Sequence, residues 1–392
     1  MLRSFRLGNH RSFRDEQELL LMPAMPGDER PAVPVAAIYG ANASGKSNLL
    51  DGLYSMKSLV EGYWSHFHKS HFRLGSEDGR RPSTYVVELL LDDVRYTYGF
   101  RIESAGADGR VLEEWLYTYP EKRRRVVFER QAGGVRFGST TTELKGKFAV
   151  LEELIQPNAL LLSVCDRLQL GPLDPVYRWF TQELRVWLRN QQWEPLEVQR
   201  RVTEFVDMDA ENHERLIALL RAADTGITGM VLRQEEGSNY RSVRLQHGEG
   251  AELFSLFDES AGTNNWLGLL PTVLAVLDNG WTFVVDEIDT SLHPKLVAEL
   301  IGLFREQDIN RRGAQLIFTT HDTSLLGTML GDNVLDRDQI WFVGKNADGV
   351  SELYPLTDFK PRKDQNTERR YLAGGYGAVP VLGDFAEAAL RR

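Results

Sequence analysis

The sequence predicts an α/β fold in which a phosphate-loop core carries an antiparallel β lobe and an inserted helical subdomain. Three observations predict it. The apolar run Val33 to Tyr39 ends at Gly40-Ala41-Asn42-Ala43-Ser44-Gly45-Lys46-Ser47 and passes into the helix-like Asn48-Leu49-Leu50-Asp51-Gly52-Leu53. A second apolar run, Trp281 to Val285, delivers the adjacent carboxylates Asp286 and Glu287. Between the two lie β-rich segments followed by a stretch with helical spacing.

Taken in order, Leu2, Phe5 and Leu7 alternate as in a strand, the turn Asn9-His10-Arg11-Ser12-Phe13 follows, and Glu18 to Leu21 is a second strand candidate. Tyr85 to Leu91 and Tyr96 to Phe100 are joined at Asp92-Asp93 like a hairpin, and further strands are expected at Glu113 to Tyr119 and Arg125 to Arg130. Residues 1–141 therefore form an N-terminal lobe with an antiparallel β region. In 142–225, starting at Thr142, Trp179-Phe180, Leu184, Trp187-Leu188, Leu216, Leu219 and Leu220 recur at helical intervals, which predicts a helical insertion. Pro157, Pro172, Pro175 and Pro195 divide it into short helices, and the absence of a sustained heptad run excludes a long coiled-coil arm. Strands return from Ile227 in a C-terminal lobe, 226–345, where Trp281 to Val285 and Gln315 to Thr319 read as buried parallel strands around the helix Pro294 to Glu306. The portion from about Asp332 holds one or two strands. The tail, 346–392, adds the basic loop Lys360-Pro361-Arg362-Lys363 and the glycine-rich stretch Tyr371 to Pro380, and is a candidate contact for a partner or oligomer.

Composition bounds the function. An apolar share of 42% and a charged share of 26% are those of a globular protein. No segment approaches the roughly 18 uninterrupted apolar residues of a membrane helix, so no membrane association is expected. The N-terminal Met1-Leu2-Arg3-Ser4-Phe5-Arg6 lacks a signal-peptide core, and the single cysteine, Cys165, excludes an intramolecular disulfide framework; both favour the cytoplasm. A net charge of -10 argues against unspecific DNA coating. The run Lys122-Arg123-Arg124-Arg125 reads as a solvated turn, with phosphate contact as the alternative.

The spacing of Gly40 to Ser47 fits a phosphate loop at every fixed position. Its glycines, Gly40 and Gly45, let backbone N–H groups curl around phosphates together with Asn42, Ser44 and Asn48. Lys46 reaches the β- and γ-phosphates of a nucleotide, and Ser47 supplies an oxygen for magnesium. Asp286 and Glu287 stand at the C-terminal end of a strand, the edge where open α/β sheets bind ligands. Asp286 is placed to hold the metal and Glu287 to polarise an attacking water. Taken alone, the pair would also fit a helix cap.

The order of these residues resembles the ABC ATPases, in particular the branch of SMC, RecF and OLD-family proteins. Glu259-Ser260-Ala261-Gly262-Thr263 is similar to the Ser-x-Gly-Thr form of the signature; the Asp286-Glu287 pair follows, then Asp289 with His293-Pro294, then Thr320-His321-Asp322. The resemblance implies an ABC-type P-loop ATPase fold with ATP and Mg2+ as ligands. It implies that Glu287, His321 and Lys46 act in catalysis and that Ser260, Gly262 and Thr263 contact the γ-phosphate across a head-to-tail homodimer. The helix opened by Ser260 and Gly262 is expected over Asn264 to Leu277. Asp289 corresponds to the D-loop; read without the family, it would cap a helix from Ser291 to Phe304. Asn9 and Arg11 occupy the opening turn near the nucleotide. The family's Q-loop glutamine has no counterpart, since Asp51 to Tyr85 contains no glutamine, and His71-Phe72-Arg73 stands in its region.

The tail from Arg362 to Pro380 resembles stand-alone bacterial ATPases of phage-exclusion and restriction loci, the RloA or AbiLi type, a flexible end being the other reading of its glycines. This resemblance implies a sensor or motor subunit working with a separately encoded effector, such as a Toprim-like nuclease. A RecF-like repair ATPase that binds DNA directly is the alternative. An OLD-like nuclease fused to the same chain is disfavoured, because only about sixty residues follow the last ATPase strand and a domain typically needs about 100 to 150.

Overall fold

The computed structural model describes the chain except residues 26, 65–69, 75–80, 104–108, 133, 140–154, 165–170, 189–193, 224, 235–240, 251, 331–332, 363–364 and 391–392. Thr142, Cys165, Asp332 and Lys363, named above, lie outside the described residues.

Strands β1 (Leu2–Gly8) and β2 (Gln17–Leu20) precede β3 (Val35–Tyr39), which runs into the glycine loop and helix α1 (Lys46–Val60). β4 (Ser83–Leu91), β5 (Val94–Ile102), β6 (Val111–Thr118), β7 (Arg125–Gln131) and β8 (Gly134–Phe137) follow. The helical turns Asp174–Arg178 and Trp179–Glu183 lead into β9 (Leu184–Trp187). Helices α2 (Pro195–Met208) and α3 (Glu211–Ala222) precede β10 (Ile227–Gln234), β11 (Arg241–His247) and β12 (Leu253–Ser255). Then come α4 (Ala261–Asn279), β13 (Thr282–Val285), α5 (Pro294–Arg305), β14 (Gln315–Thr319), β15 (Ile340–Lys345), β16 (Ser351–Pro355) and α6 (Thr367–Leu372).

The strands form three sheets. An antiparallel sheet has the order β2-β1-β4-β5-β6-β7-β8, a small one β10-β11-β12, and a mixed one β16-β15-β3-β14-β13-β9. In the mixed sheet β15, β3, β14, β13 and β9 are parallel and β16 is antiparallel at the edge. All residues of β3 and β14 are buried, as expected of parallel strands covered on both faces. The hairpin between β4 and β5 turns at Asp92 and Asp93, with φ 47° and 59°, the left-handed pair that short-polar residues tolerate and a two-residue hairpin needs.

Two expectations change. Leu184 to Trp187 carries helical spacing in the sequence but pairs in parallel with β13, register Thr282↔Leu184 to Val285↔Trp187. Pairing along an open sheet edge and burial of Leu184 and Trp187 decide this short run, where periodicity alone cannot separate strand from helix. The glycine-rich tail is not a loose end over its first part: Tyr371 and Tyr376 are buried and stack on Phe342, each with ring centroids 5.4 Å away. Beyond it, Val381, Leu382 and Phe385 are exposed. No helix among the described residues is long and apolar enough to cross a membrane.

Candidate functional site

β3, β13 and β14 are neighbours, so the loops that follow them share one edge of the mixed sheet. The loop after β3 is fixed by two glycines. A Cβ at Gly40 would lie 2.5 Å from both Ser44 Oγ and Val343 O, and Gly45 holds φ 117°, a conformation that side chains rarely adopt. α1 starts after Gly45 without a side-chain cap, leaving its first N–H groups for an anion. Ser44 Oγ is buried with no hydrogen-bond partner among the described residues. The loop is also braced from outside: Asn48 Nδ2 donates to Ser12 Oγ at 2.7 Å, Ser351 Oγ donates to Ser12 Oγ at 2.7 Å, and Lys345 Nζ donates to Ala43 O at 3.2 Å. Asn42 is exposed at its tip.

Lys46 donates through Nζ to Gly40 O at 2.8 Å and Ala41 O at 3.2 Å. Burial pulls its ammonium below the usual lysine range, while the carboxylates of Glu287, Asp286 and Asp289 oppose that shift. The phosphate-loop lysine and three acidic residues of the segment after β13 therefore share one electrostatic field.

Asp286 is the hub. Its Oδ1 accepts from Ser47 Oγ at 3.0 Å and from Thr319 Oγ1 at 2.6 Å. Thr319, fully buried at the end of β14, also accepts through Oγ1 from Glu287 N at 2.7 Å. Glu287 sits at φ 52°, so the chain turns sharply out of the strand here. Asp289 Oδ2 accepts from His321 N at 3.4 Å, and Asp289 Oδ1 is buried without a partner among the described residues. Asp289 caps no helix, since α5 begins at Pro294 and its cap is His293, whose Nδ1 accepts from Lys295 N at 3.2 Å. His321 is exposed, on a loop secured by Tyr39 Oη donating to Asp322 O at 3.2 Å.

Ser260, Gly262 and Thr263, the candidate signature residues, stand together at the start of α4, which begins three residues earlier than expected from the sequence. Ser260 is its cap, Oγ accepting from Thr263 N at 3.0 Å. A Cβ at Gly262 would come within 2.8 Å of Ser291 O, and Asn265 Nδ2 donates to Thr290 O at 3.2 Å, so the start of α4 packs on the segment after Asp289. Ser260 and Ala261 are exposed.

The opening turn is held by side-chain pairs. Asn9 is buried, with Nδ2 donating to Arg81 O at 2.7 Å and Oδ1 accepting from Phe72 N at 3.1 Å. Both ends of its amide brace the turn. Phe72, of the segment standing where the Q-loop was sought, is thereby tied to this turn. Arg11 makes a two-pronged ion pair with Asp51 of α1 through Nε and Nη2. Burial would push the Asp51 carboxyl up, but hydrogen bonds from His10 and Arg11 together hold it below its ordinary value. His10, fully buried between Asp51 and the Tyr85 hydroxyl, is pushed down by desolvation.

Residues 35–327 match the family model described as "AAA domain, putative AbiEii toxin, Type IV TA system". The chain belongs to this family. It is a P-loop ATPase of the AAA kind. Among solved structures, an SmcHead bound to the C-winged helix domain of ScpA matches with a TM-score of 0.50 and 16% identity over 92% of this chain and 99% of that one. The SMC head domain from Thermotoga maritima matches with a TM-score of 0.45 and 17% identity over 90% of this chain and 98% of that one. No curated protein sequence matches the chain.

Two features of this AAA-family site escaped sequence reasoning. Thr319 was visible only as the last residue of a strand, although a hydroxyl-bearing, β-branched residue there suits the sheet and still reaches both the Asp286 carboxylate and the Glu287 N–H. Ser12 and Ser351 lie 339 residues apart in the chain, and no local signal links them to the phosphate loop.

Proposed function

We propose that the chain is a magnesium-dependent ATPase that closes head to tail with a second copy around two ATP molecules. In this reading it serves as sensor or motor of a phage-defence complex with a separately encoded effector, most simply a nuclease. The observation that carries the reading is the linkage of Ser47, Asp286, Thr319 and Glu287, which joins the phosphate loop to the backbone turn at Glu287.

Ser47 Oγ and Asp286 Oδ1, two hard oxygens 3.0 Å apart, fit a magnesium ion completed by phosphate oxygens and water, which would draw charge from the β- and γ-phosphates. Lys46 and the N–H groups at the start of α1 bind the same phosphates. Glu287 accepts a hydrogen bond from the attacking water and holds it in line, and His321 faces the γ-phosphate from the opposite loop. As the water oxygen bonds to phosphorus, the bond to the β-phosphate oxygen breaks and the water proton passes toward Glu287. The exposed start of α4, with Ser260 and Gly262, is open to the γ-phosphate of a partner's ATP, so hydrolysis would loosen the dimer and time a signal to the effector.

The family description's mention of a toxin–antitoxin system accords with a defence setting. The SMC head with ScpA bound offers an analogy for a protein partner on this fold. The test is Glu287→Gln, with phosphate release and light scattering as readouts. Hydrolysis is expected to fall about 10²- to 10⁴-fold while ATP now traps a stable dimer. Wild-type turnover in the variant, or a mass that ignores ATP, overturns the reading.

A further inference from the structure

Antiparallel sheets with one solvated face usually show polar residues there. The outer face of the β1-to-β8 sheet departs from that pattern. Tyr98, Phe100 and Leu116 point into the core, whereas Trp115, Tyr117 and, just past β6, Tyr119 line a concavity of about 330 Å³ on the solvent side. The indole is laid over the sheet by its cross-strand partner: Gly99 is opposite Trp115, and any Cβ at Gly99 would collide with the Trp115 ring at 2.5 Å. Arginines accompany the rings. Arg124 lies over Tyr117 and Arg95 over Tyr119, each 3.8 Å from the ring centroid.

Arg6, Arg101 and Arg124 line the concavity together with Glu16, and Glu113 and Glu129 stand beside the same arginines. Their ion pairs are loose. Arg6 to Glu16 is 3.8 Å, Arg101 to Glu16 and to Glu113 are both 3.7 Å, and Arg124 to Glu129 is 3.5 Å, all beyond the usual hydrogen-bond range of roughly 2.7 to 3.2 Å. Arg6 Nε is buried with no hydrogen-bond partner among the described residues.

We infer that this face binds single-stranded nucleic acid, with unpaired bases stacked on Trp115 and on the Arg124 guanidinium that lies over Tyr117, and the backbone phosphates held by Arg6, Arg101 and the edge of Arg124. Rings supply a platform that accepts any base, and guanidinium groups supply the phosphate contacts; together they are the two components of strand binding without sequence preference. A duplex keeps its bases stacked on each other and presents no free face to these rings. An anionic peptide would use the arginines and leave the rings idle. The face belongs to a different sheet from the nucleotide site, so its binding is separable from ATP hydrolysis.

The experiment is fluorescence anisotropy on the full chain with labelled oligo(dT) and oligo(U) of about fifteen nucleotides, and a duplex of equal length, across roughly 50 to 200 mM salt. One or both single strands should bind more tightly than the duplex, and the DNA and RNA arms identify the source. The log affinity should fall with log salt at a slope of about 2, as three phosphate contacts predict. Tyr117→Ser should weaken binding about tenfold, Tyr117→Phe should restore it, and Arg101→Ala should lower the salt slope by about 0.7. All three variants should keep wild-type ATP turnover and melting temperature, which separates a lost site from a lost fold. Absence of single-strand binding, equal binding of duplex, or indifference of a folded Tyr117→Ser to the probe overturns the inference.

Discussion

Thr319→Val removes one oxygen and keeps the β-branched shape that suits a buried strand end. Its hydroxyl makes two hydrogen bonds, donating to Asp286 Oδ1 at 2.6 Å and accepting from Glu287 N at 2.7 Å. Asp286 Oδ1 retains Ser47 Oγ at 3.0 Å, so the larger loss falls on the Glu287 N–H. Depriving a buried donor of its partner costs about 1 to 3 kcal/mol. Glu287 is also held at φ 52°, a left-handed conformation that itself costs on the order of 1 to 3 kcal/mol for a residue other than glycine. Without the Thr319 acceptor the turn can relax and the carboxylate no longer waits in place. If about 1.4 to 2.7 kcal/mol of that positioning is lost in the transition state, kcat falls roughly 10- to 100-fold. Lys46 and the loop glycines are untouched, so KM for ATP should stay within about threefold, the split expected when an interaction is realised mainly in the transition state. Steady-state phosphate release and a thermal melt provide the assay, with Thr319→Ser as control, since it keeps the oxygen and should stay near wild-type turnover. Wild-type kcat in the valine variant, or an equal fall in the serine variant, would refute the claim that this hydroxyl positions Glu287.

Gly45→Ala forces a side chain to φ 117° and sets a Cβ against Ser351 Oγ and Ser12 Oγ; nucleotide affinity, read by calorimetric titration with ATP, should fall at least tenfold, in line with about 1 to 3 kcal/mol of strain. Gly262→Ala places a Cβ 2.8 Å from Ser291 O, and should leave ATP binding intact while abolishing the ATP-dependent dimer in light scattering, because it shifts the start of α4 and not the phosphate loop. Stability should depend on His10: its folded pKa is depressed by burial, so the unfolded chain takes up a proton first, and stability present above about pH 6.5 is lost as pH falls below it. Arg11 adds to that depression while Asp51 opposes it, and Tyr85 accepts or donates at the other ring nitrogen. Melting curves between pH 8 and pH 5 should therefore slope less for His10→Gln than for wild type over the range below about pH 6.5; equal slopes exclude His10 as the group responsible.

Much of the site could be read from the sequence because its motifs are local. A phosphate loop needs particular residues within eight consecutive positions, and the strand before it and helix after it announce themselves by periodicity. The same holds for Asp286-Glu287 and for Ser260-Ala261-Gly262-Thr263, whose chemistry is carried by neighbours in the chain. What stayed hidden is made between distant segments. Leu184 to Trp187 has helical spacing, and becomes a strand because the edge of β13 offers it unpaired backbone groups. That pairing has a consequence for the site. Asp286 N donates to Trp187 O at 2.8 Å, so β9 fixes the backbone of Asp286 just where the chain must leave the strand and turn at Glu287. Thr319 holds the same turn from the opposite side. Glu287 is thus gripped between strands contributed by two regions that the sequence assigned to different lobes, and its strained φ persists because both flanks are paired. A carboxylate can be recognised from its neighbours in sequence; the geometry that makes it useful comes from β9 and β14, and only the assembled sheet brings them to it.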